Sequence, residues 1–210
     1  MQFGNFTDAS TLRLQRVLPA KPSAVWAYLT EPEKLASWLA DAEIDLQLGG
    51  RVQLLMLDKG GSRLDAQQPD AAPQDTPKPQ MSKQPPSKYL SGRQPTGRPL
   101  IRGVITRCDP ASMLAFTWRS VPPTYREDGT VEPESEVVFD LSAQGERTQM
   151  ILLHRRLSPG WLALVGCGWH LLLEDLASRL AARDPAPFMA RFEALLPEYQ
   201  KRAAPLLASV

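Results

Sequence analysis

What this sequence lacks narrows it first. In 210 residues it has two cysteines, Cys108 and Cys167, and two histidines, His154 and His170. The cysteines are far apart and outside any metal-ligand spacing, so free thiols of a reducing, cytoplasmic setting are expected, not a bridge. Neither histidine has a Cys, His or Asp at ligand spacing, so no metal site and no cofactor is expected. Charge of one sign is missing as well. A formal net charge of +1 excludes a nucleic-acid binder that works by massed phosphate contacts. The longest apolar stretch, Trp161 to Leu173, is too short to span a bilayer and is broken by Gly166, Gly168 and His170. Met1-Gln2-Phe3-Gly4-Asn5 has neither the basic nor the apolar region of an export signal. Gly49-Gly50 and Gly60-Gly61 lack the context of a phosphate-cradling loop.

Proline, by contrast, is abundant, and it clusters. Pro69, Pro73, Pro77, Pro79, Pro85, Pro86, Pro95 and Pro99 punctuate a stretch filled with Gln, Ser, Lys and Asp. So little apolar surface cannot offset the entropy of ordering, which predicts a mobile insertion over 58–99 within a single domain of 1–210. Its acidic residues precede its basic ones, from Asp65 to Arg98, which fits a solvated linker better than a basic arm.

Around that insertion the pattern is mostly β. Leu12 to Leu18 alternates, with Leu12, Leu14 and Leu18 on one side. Two short helices follow. The first opens at Lys21-Pro22-Ser23 and buries Val25, Trp26 and Leu29; the second starts near Thr30, a candidate cap, and buries Leu35, Trp38 and Leu39. Strands are predicted over 44–48 and 51–57 (joined by a Gly49-Gly50 hairpin turn), 100–108, 113–119, 134–141 and 148–155. A long helix beginning near Ser158 or Gly166 runs to about Ala182, with Trp169, Leu172, Leu173, Leu176 and Leu180 on one side. Asp184-Pro185-Ala186-Pro187 ends it, and an additional C-terminal helix occupies 185–210, with Phe188, Phe192, Leu195, Leu196 and Tyr199 on one side. Strand, two short helices, antiparallel strands, then helices define an α+β fold.

Several pieces resemble a known family. They are Ala24-Val25-Trp26-Ala27-Tyr28-Leu29-Thr30-Glu31-Pro32-Glu33-Lys34-Leu35-Ala36-Ser37-Trp38, Leu48-Gly49-Gly50-Arg51-Val52, Gly103-Val104-Ile105, Asp109-Pro110, Phe116-Thr117-Trp118, Thr148, and Gly168-Trp169-His170 through Leu180. In this order they resemble the START and Bet v 1-like (SRPBCC) superfamily, on the branch of activator of Hsp90 ATPase homologue 1-like proteins. The resemblance implies a helix-grip fold, a curved antiparallel sheet around a long C-terminal helix that encloses an apolar cavity. The long insertion and the helix after Pro187 depart from the family.

The candidate cavity lining is Trp38, Val52, Leu54, Met56, Phe116, Trp118, Phe139, Leu152, His154, Trp169, Leu173 and Leu176. His154, inward in its strand, either orients a ligand or is a core histidine bonded to a backbone carbonyl or a water; residue type alone favours the second. The tryptophans either line a site or fill the core. His170 is expected at the helix surface. No catalytic residue stands out. Ser158 and Ser178 lie in no nucleophile pattern, Cys167 between glycines suits a close helix approach, and Glu174-Asp175 point apart on a helix. Arg102 and Arg107 can bind a carboxylate or lie exposed.

Three functions follow as expectations, in this order. The first is binding of a small hydrophobic molecule without assignable catalysis. The second is a partner-binding regulator of the Hsp90 co-chaperone type, with a protein partner or a homodimer through the last helix. The third is a cyclase or dehydratase-like enzyme, which requires converging polar groups.

Overall fold

The computed structural model describes residues 3–59, 98–125 and 129–208; most of the 58–99 insertion and the chain ends lie outside them. The strands are β1 (Asn5–Asp8), β2 (Thr11–Leu18), β3 (Ala40–Ile44), β4 (Arg51–Met56), β5 (Leu100–Asp109), β6 (Met113–Val121), β7 (Ser135–Gln144) and β8 (Arg147–Arg155). They form one antiparallel, curved sheet in the order β1-β2-β8-β7-β6-β5-β4-β3. Helices α1 (Pro22–Thr30) and α2 (Pro32–Leu35) follow β2, and α3 (Leu162–Leu180) and α4 (Phe188–Leu207) close the chain. A single 3-10 turn, Pro159–Trp161, leads into α3.

Alternation sets which face of the sheet is buried. Leu12, Leu14 and Leu18 of β2 stand opposite His154, Leu152 and Thr148 of β8, Met150 stands opposite Arg16, and β7 adds Val137, Phe139 and Leu141. These side chains meet Trp169, Leu172, Leu173 and Leu176 of α3 in one core. Each large apolar group removed from water there is worth about 1.5–3 kcal/mol. At Gly103 the sheet is unusually close. A Cβ there would stand 1.7 Å from the Thr117 carbonyl oxygen, so only glycine fits beside the irregular β5–β6 register.

The sequence marks one apolar side on the long helix, but α3 buries two. Cys167 and Leu171 face away from the sheet and pack on Phe192, Leu195 and Tyr199 of α4. The last helix therefore covers α3 and β1 of its own chain. It runs to Leu207 with Pro197 and Pro205 inside it.

Three local expectations need correction. β3 lies at Ala40–Ile44 rather than 44–48, because Leu39 and Ala40 continue the buried side from Trp38 directly into the sheet. Asp45 to Gly50 then forms the turn, in which Asp45 N–H donates to the Arg51 carbonyl. Thr30 caps nothing. Its hydroxyl donates to the Trp26 carbonyl at 2.8 Å, and α2 begins after Glu31 without a side-chain cap. β1 carries no alternation that would have revealed it.

The short helices hold the C-terminal end of α3. Tyr28 donates its hydroxyl to the Arg179 carbonyl at 3.4 Å, and Arg179 Nε donates to the Ser37 carbonyl at 3.1 Å. Trp38 Nε1–H donates to the Tyr28 carbonyl at 2.9 Å, which ties α1 to the turn after α2.

Candidate functional site

Two turns into α3, Trp169 turns its indole towards the sheet and meets Trp118 and Phe139 edge-on, with centroids 5.6 and 5.8 Å apart. Phe116 joins Trp118 and Phe139 at 6.2 and 6.3 Å. His154 completes the group, 5.6 Å from Trp118. Five rings from three strands and one helix thus fill the interior at this end of the grip.

Polar atoms inside this group are wired in one direction. Trp169 Nε1–H donates to His154 Nδ1 at 3.0 Å. An indole N–H can only donate, so Nδ1 carries no proton and the neutral ring holds its proton on Nε2. That N–H donates to Ser135 Oγ at 2.8 Å, and the Ser135 hydroxyl donates to the Trp118 carbonyl at 3.1 Å. Burial, helped by the Arg156 charge, pushes the His154 pKa down to about 3. The imidazole is therefore neutral at ordinary pH. Its two ring nitrogens are engaged by an indole and a serine.

Above this chain opens a cleft of about 220 Å³. Trp118, Ser135 and His154 form its floor; Leu157, Trp161 and Val165 form one apolar wall, and Pro123 and Pro133 border the other. Glu132 fixes the Trp161 side: it accepts from Trp161 Nε1–H at 3.0 Å and from the Ser158 hydroxyl. Arg156, at φ +60°, turns back to donate Nε–H to the Glu134 carbonyl at 3.1 Å and pairs with Glu136 at 3.5 Å. Arg119 pairs with Glu134 at 3.3 Å, so both cations beside the cleft are engaged. A second hollow, about 350 Å³, lies at the surface between Gly4–Phe6 and Arg202–Leu206. Its one charged group is already occupied: Arg202 pairs with Glu198 and stacks on Phe3.

Of the residues expected to line a cavity, only Trp118 and His154 border the cleft. Phe116, Phe139 and Trp169 stand behind them in the ring cluster. Trp38, Val52, Leu54, Leu152, Leu173 and Leu176 are buried in the central core, and Met56 packs against it. Bulky side chains from sheet and helix meet one another there, so open volume sits at one end of the grip. Sequence reasoning missed Ser135, although it extends the inward series Val137, Phe139, Leu141 by one step. Glu132, Leu157, Ser158 and Trp161 lie on connections, where no periodicity singles them out. Arg107 is exposed beside Asp109, and Arg102 lies on the outer face beside Arg119.

His170 is not at the surface. It is fully buried between α3 and α4, because α4 covers the side of α3 that points away from the sheet. Here too the direction is fixed: Gly4 N–H donates to the Tyr199 oxygen at 2.9 Å, Tyr199 O–H to His170 Nδ1 at 2.9 Å, and His170 Nε2–H to Glu174 at 3.1 Å. Burial and the nearby Arg16 lower the His170 pKa against the pull of Glu174. Glu174 and Asp175 diverge on the helix yet share Arg191, at 3.2 and 2.5 Å, and Asp175 also holds Lys59 at 2.9 Å. Among the described residues no group of His, Cys, Asp and Glu is placed to hold a metal, and no helix is long and apolar enough to cross a membrane.

An antiparallel sheet gripping a long helix, with an aromatic cleft at one end, defines a helix-grip domain of the START and Bet v 1-like (SRPBCC) superfamily. Within it the protein belongs to the family described as activator of Hsp90 ATPase homolog 1-like protein, whose model matches residues 19–68 and 76–181. The protein encoded by gene BPP1335 of Bordetella parapertussis, known from a solution NMR structure, is 28% identical with a TM-score of 0.64, covering 96% of this chain and 91% of that one. CalU16 from Micromonospora echinospora, in its crystal structure, is 19% identical with a TM-score of 0.59, covering 97% and 96%. DynU16, from the dynemicin biosynthetic locus, is 17% identical with a TM-score of 0.54, covering 84% of this chain and 49% of that one. At those identities CalU16 and DynU16 share the fold alone. No curated protein matches the sequence.

Proposed function

We propose that the protein binds a small, largely apolar molecule in the cleft between the 3-10 turn, the start of α3 and the ends of β6 and β7, without transforming it. The observation that carries this reading is the combination of walls and floor. Trp118, Leu157, Trp161 and Val165 supply apolar surface, and the buried side chains of Ser135, His154 and Ser158 add a few polar atoms. Ligand sites typically pair apolar walls with a few placed polar atoms. At about 220 Å³ the cleft is smaller than the ~300–1,000 Å³ of drug-sized sites, so the occupant is one or two rings in size.

The wiring argues against a hydrolase-like role. A serine nucleophile must give its proton to an adjacent base, and the base in contact with Ser135 is His154. Here His154 Nε2 already carries a proton and donates it to Ser135 Oγ, while Nδ1 is held by Trp169. His154 therefore orients the serine and does not activate it.

Calorimetric titration with bicyclic aromatic probes tests the reading. Saturable one-to-one binding is expected, accompanied by a change in tryptophan emission and abolished by Val165→Trp, which fills the cleft. Absence of saturable binding, or binding indifferent to that filling, overturns it.

A further inference from the structure

The hydrogen-bond direction in the floor goes further and specifies what the occupant must carry; it rests on the binding reading above. Every proton in the chain is committed inward. Trp169 gives its N–H to His154, His154 gives its N–H to Ser135, and Ser135 gives its O–H to the Trp118 carbonyl. A serine oxygen has two lone pairs and one proton. His154 takes one lone pair and Trp118 takes the proton, which leaves one lone pair at the cleft floor. The floor thus offers an acceptor and no donor.

We infer that the molecule held in this cleft is a hydroxylated or N–H-bearing aromatic that donates a hydrogen bond to Ser135 Oγ, and that it is preferred to an ether of the same shape. The rest of the lining is mixed: Glu132 is joined by Arg119 and Arg156, which pair with Glu134 and Glu136, and by Ser120 and Thr124, so the donor requirement is a property of the Ser135 position alone. For Ser135 to donate outward instead, it must give up the Trp118 carbonyl. The net value of one hydrogen bond corresponds to a preference of about fivefold or more for donors.

The test compares 2-naphthol and 2-methoxynaphthalene by calorimetry on the full chain. The naphthol is expected to bind at least about fivefold more tightly than the ether. Ser135→Ala, with its fold checked by thermal denaturation, should erase the difference between naphthol and ether. Ser135→Thr, which keeps the hydroxyl, should retain it and guards against reading a folding defect as lost selectivity. Equal binding of naphthol and ether, or a preference that survives Ser135→Ala, overturns the donor requirement and leaves the binding function standing. Failure of both probes to bind overturns both.

Discussion

The ring of Tyr199 packs closely against Gly166: a Cβ at that position would stand 2.6 Å from Tyr199 Cδ1 and 2.8 Å from Cε1. This contact lets α4 approach α3 closely enough for the Tyr199 hydroxyl to join Gly4 and His170. Gly166→Ala should destabilise by about 1–2 kcal/mol, because overpacking against an aromatic ring outweighs alanine's better helix propensity. Urea denaturation measures it; an unchanged or raised midpoint would mean that α4 yields freely.

Tyr199→Phe keeps the ring and removes the hydroxyl. Gly4 N–H and His170 Nδ1 then lose their shared partner, at a cost of about 1–3 kcal/mol. Protection of the Gly4 amide from hydrogen exchange should fall in the same variant, and persistence of that protection would contradict the wiring described.

Stability should depend on pH through His154. Its pKa is about 3 when folded, against 6.5 ordinarily, so the unfolded chain binds the extra proton first. This contribution is complete above pH 6.5 and declines as pH falls towards 3, by about 1.4 kcal/mol per unit in the lower part of that window. His154→Gln, which can still accept from Trp169 and donate to Ser135, should flatten the curve between pH 4 and 6. Because the lowered His170 pKa acts in the same sense, the difference between wild type and variant is the informative quantity. Equal slopes would refute the assignment.

Asp175 is only 1% exposed and holds both Lys59 and Arg191. Asp175→Asn should cost about 2–4 kcal/mol, since two cations lose their buried counter-charge while retaining some access to water. High salt should not restore the loss. A cost below about 0.5 kcal/mol would show the pairs to be dispensable.

The two thiols should differ in reactivity. Burial pushes the Cys167 thiol up to about 12, and its Sγ lies 3.6 Å from the Phe192 carbonyl oxygen. Iodoacetamide at pH 8 should therefore modify the half-buried Cys108 well before Cys167, as read by mass spectrometry. Modification of Cys167 at the faster rate would indicate that α4 detaches readily.

Alternation made most of the sheet legible. The series Leu12, Leu14, Leu18 and Val137, Phe139, Leu141 predicts inward faces that are inward in the structure. The helix from Leu162 was legible in position but not in its second buried face, because His170 and Cys167 do not read as apolar anchors beside the leucines. The site was the least legible part. Inward register identifies which side chains face the helix, yet it cannot tell whether rings such as Phe116, Phe139 and Trp169 leave space or fill it. Cleft residues on connections, Glu132 and Trp161 among them, owe their position to tertiary geometry, which no local pattern encodes.

Arg98 clamps the place where β4 ends and β5 begins. Its Nε donates to the Met56 carbonyl at 2.6 Å, and its Nη2 donates to the Leu55 carbonyl at 3.0 Å and pairs with Asp41 at 2.7 Å. Leu55 stands opposite Leu100 in the ladder, and Lys59 is tethered to Asp175 nearby. One guanidinium therefore fastens two strand ends and the edge of the sheet together, so its loss would unzip β3 and the first rungs of the β4–β5 ladder at once.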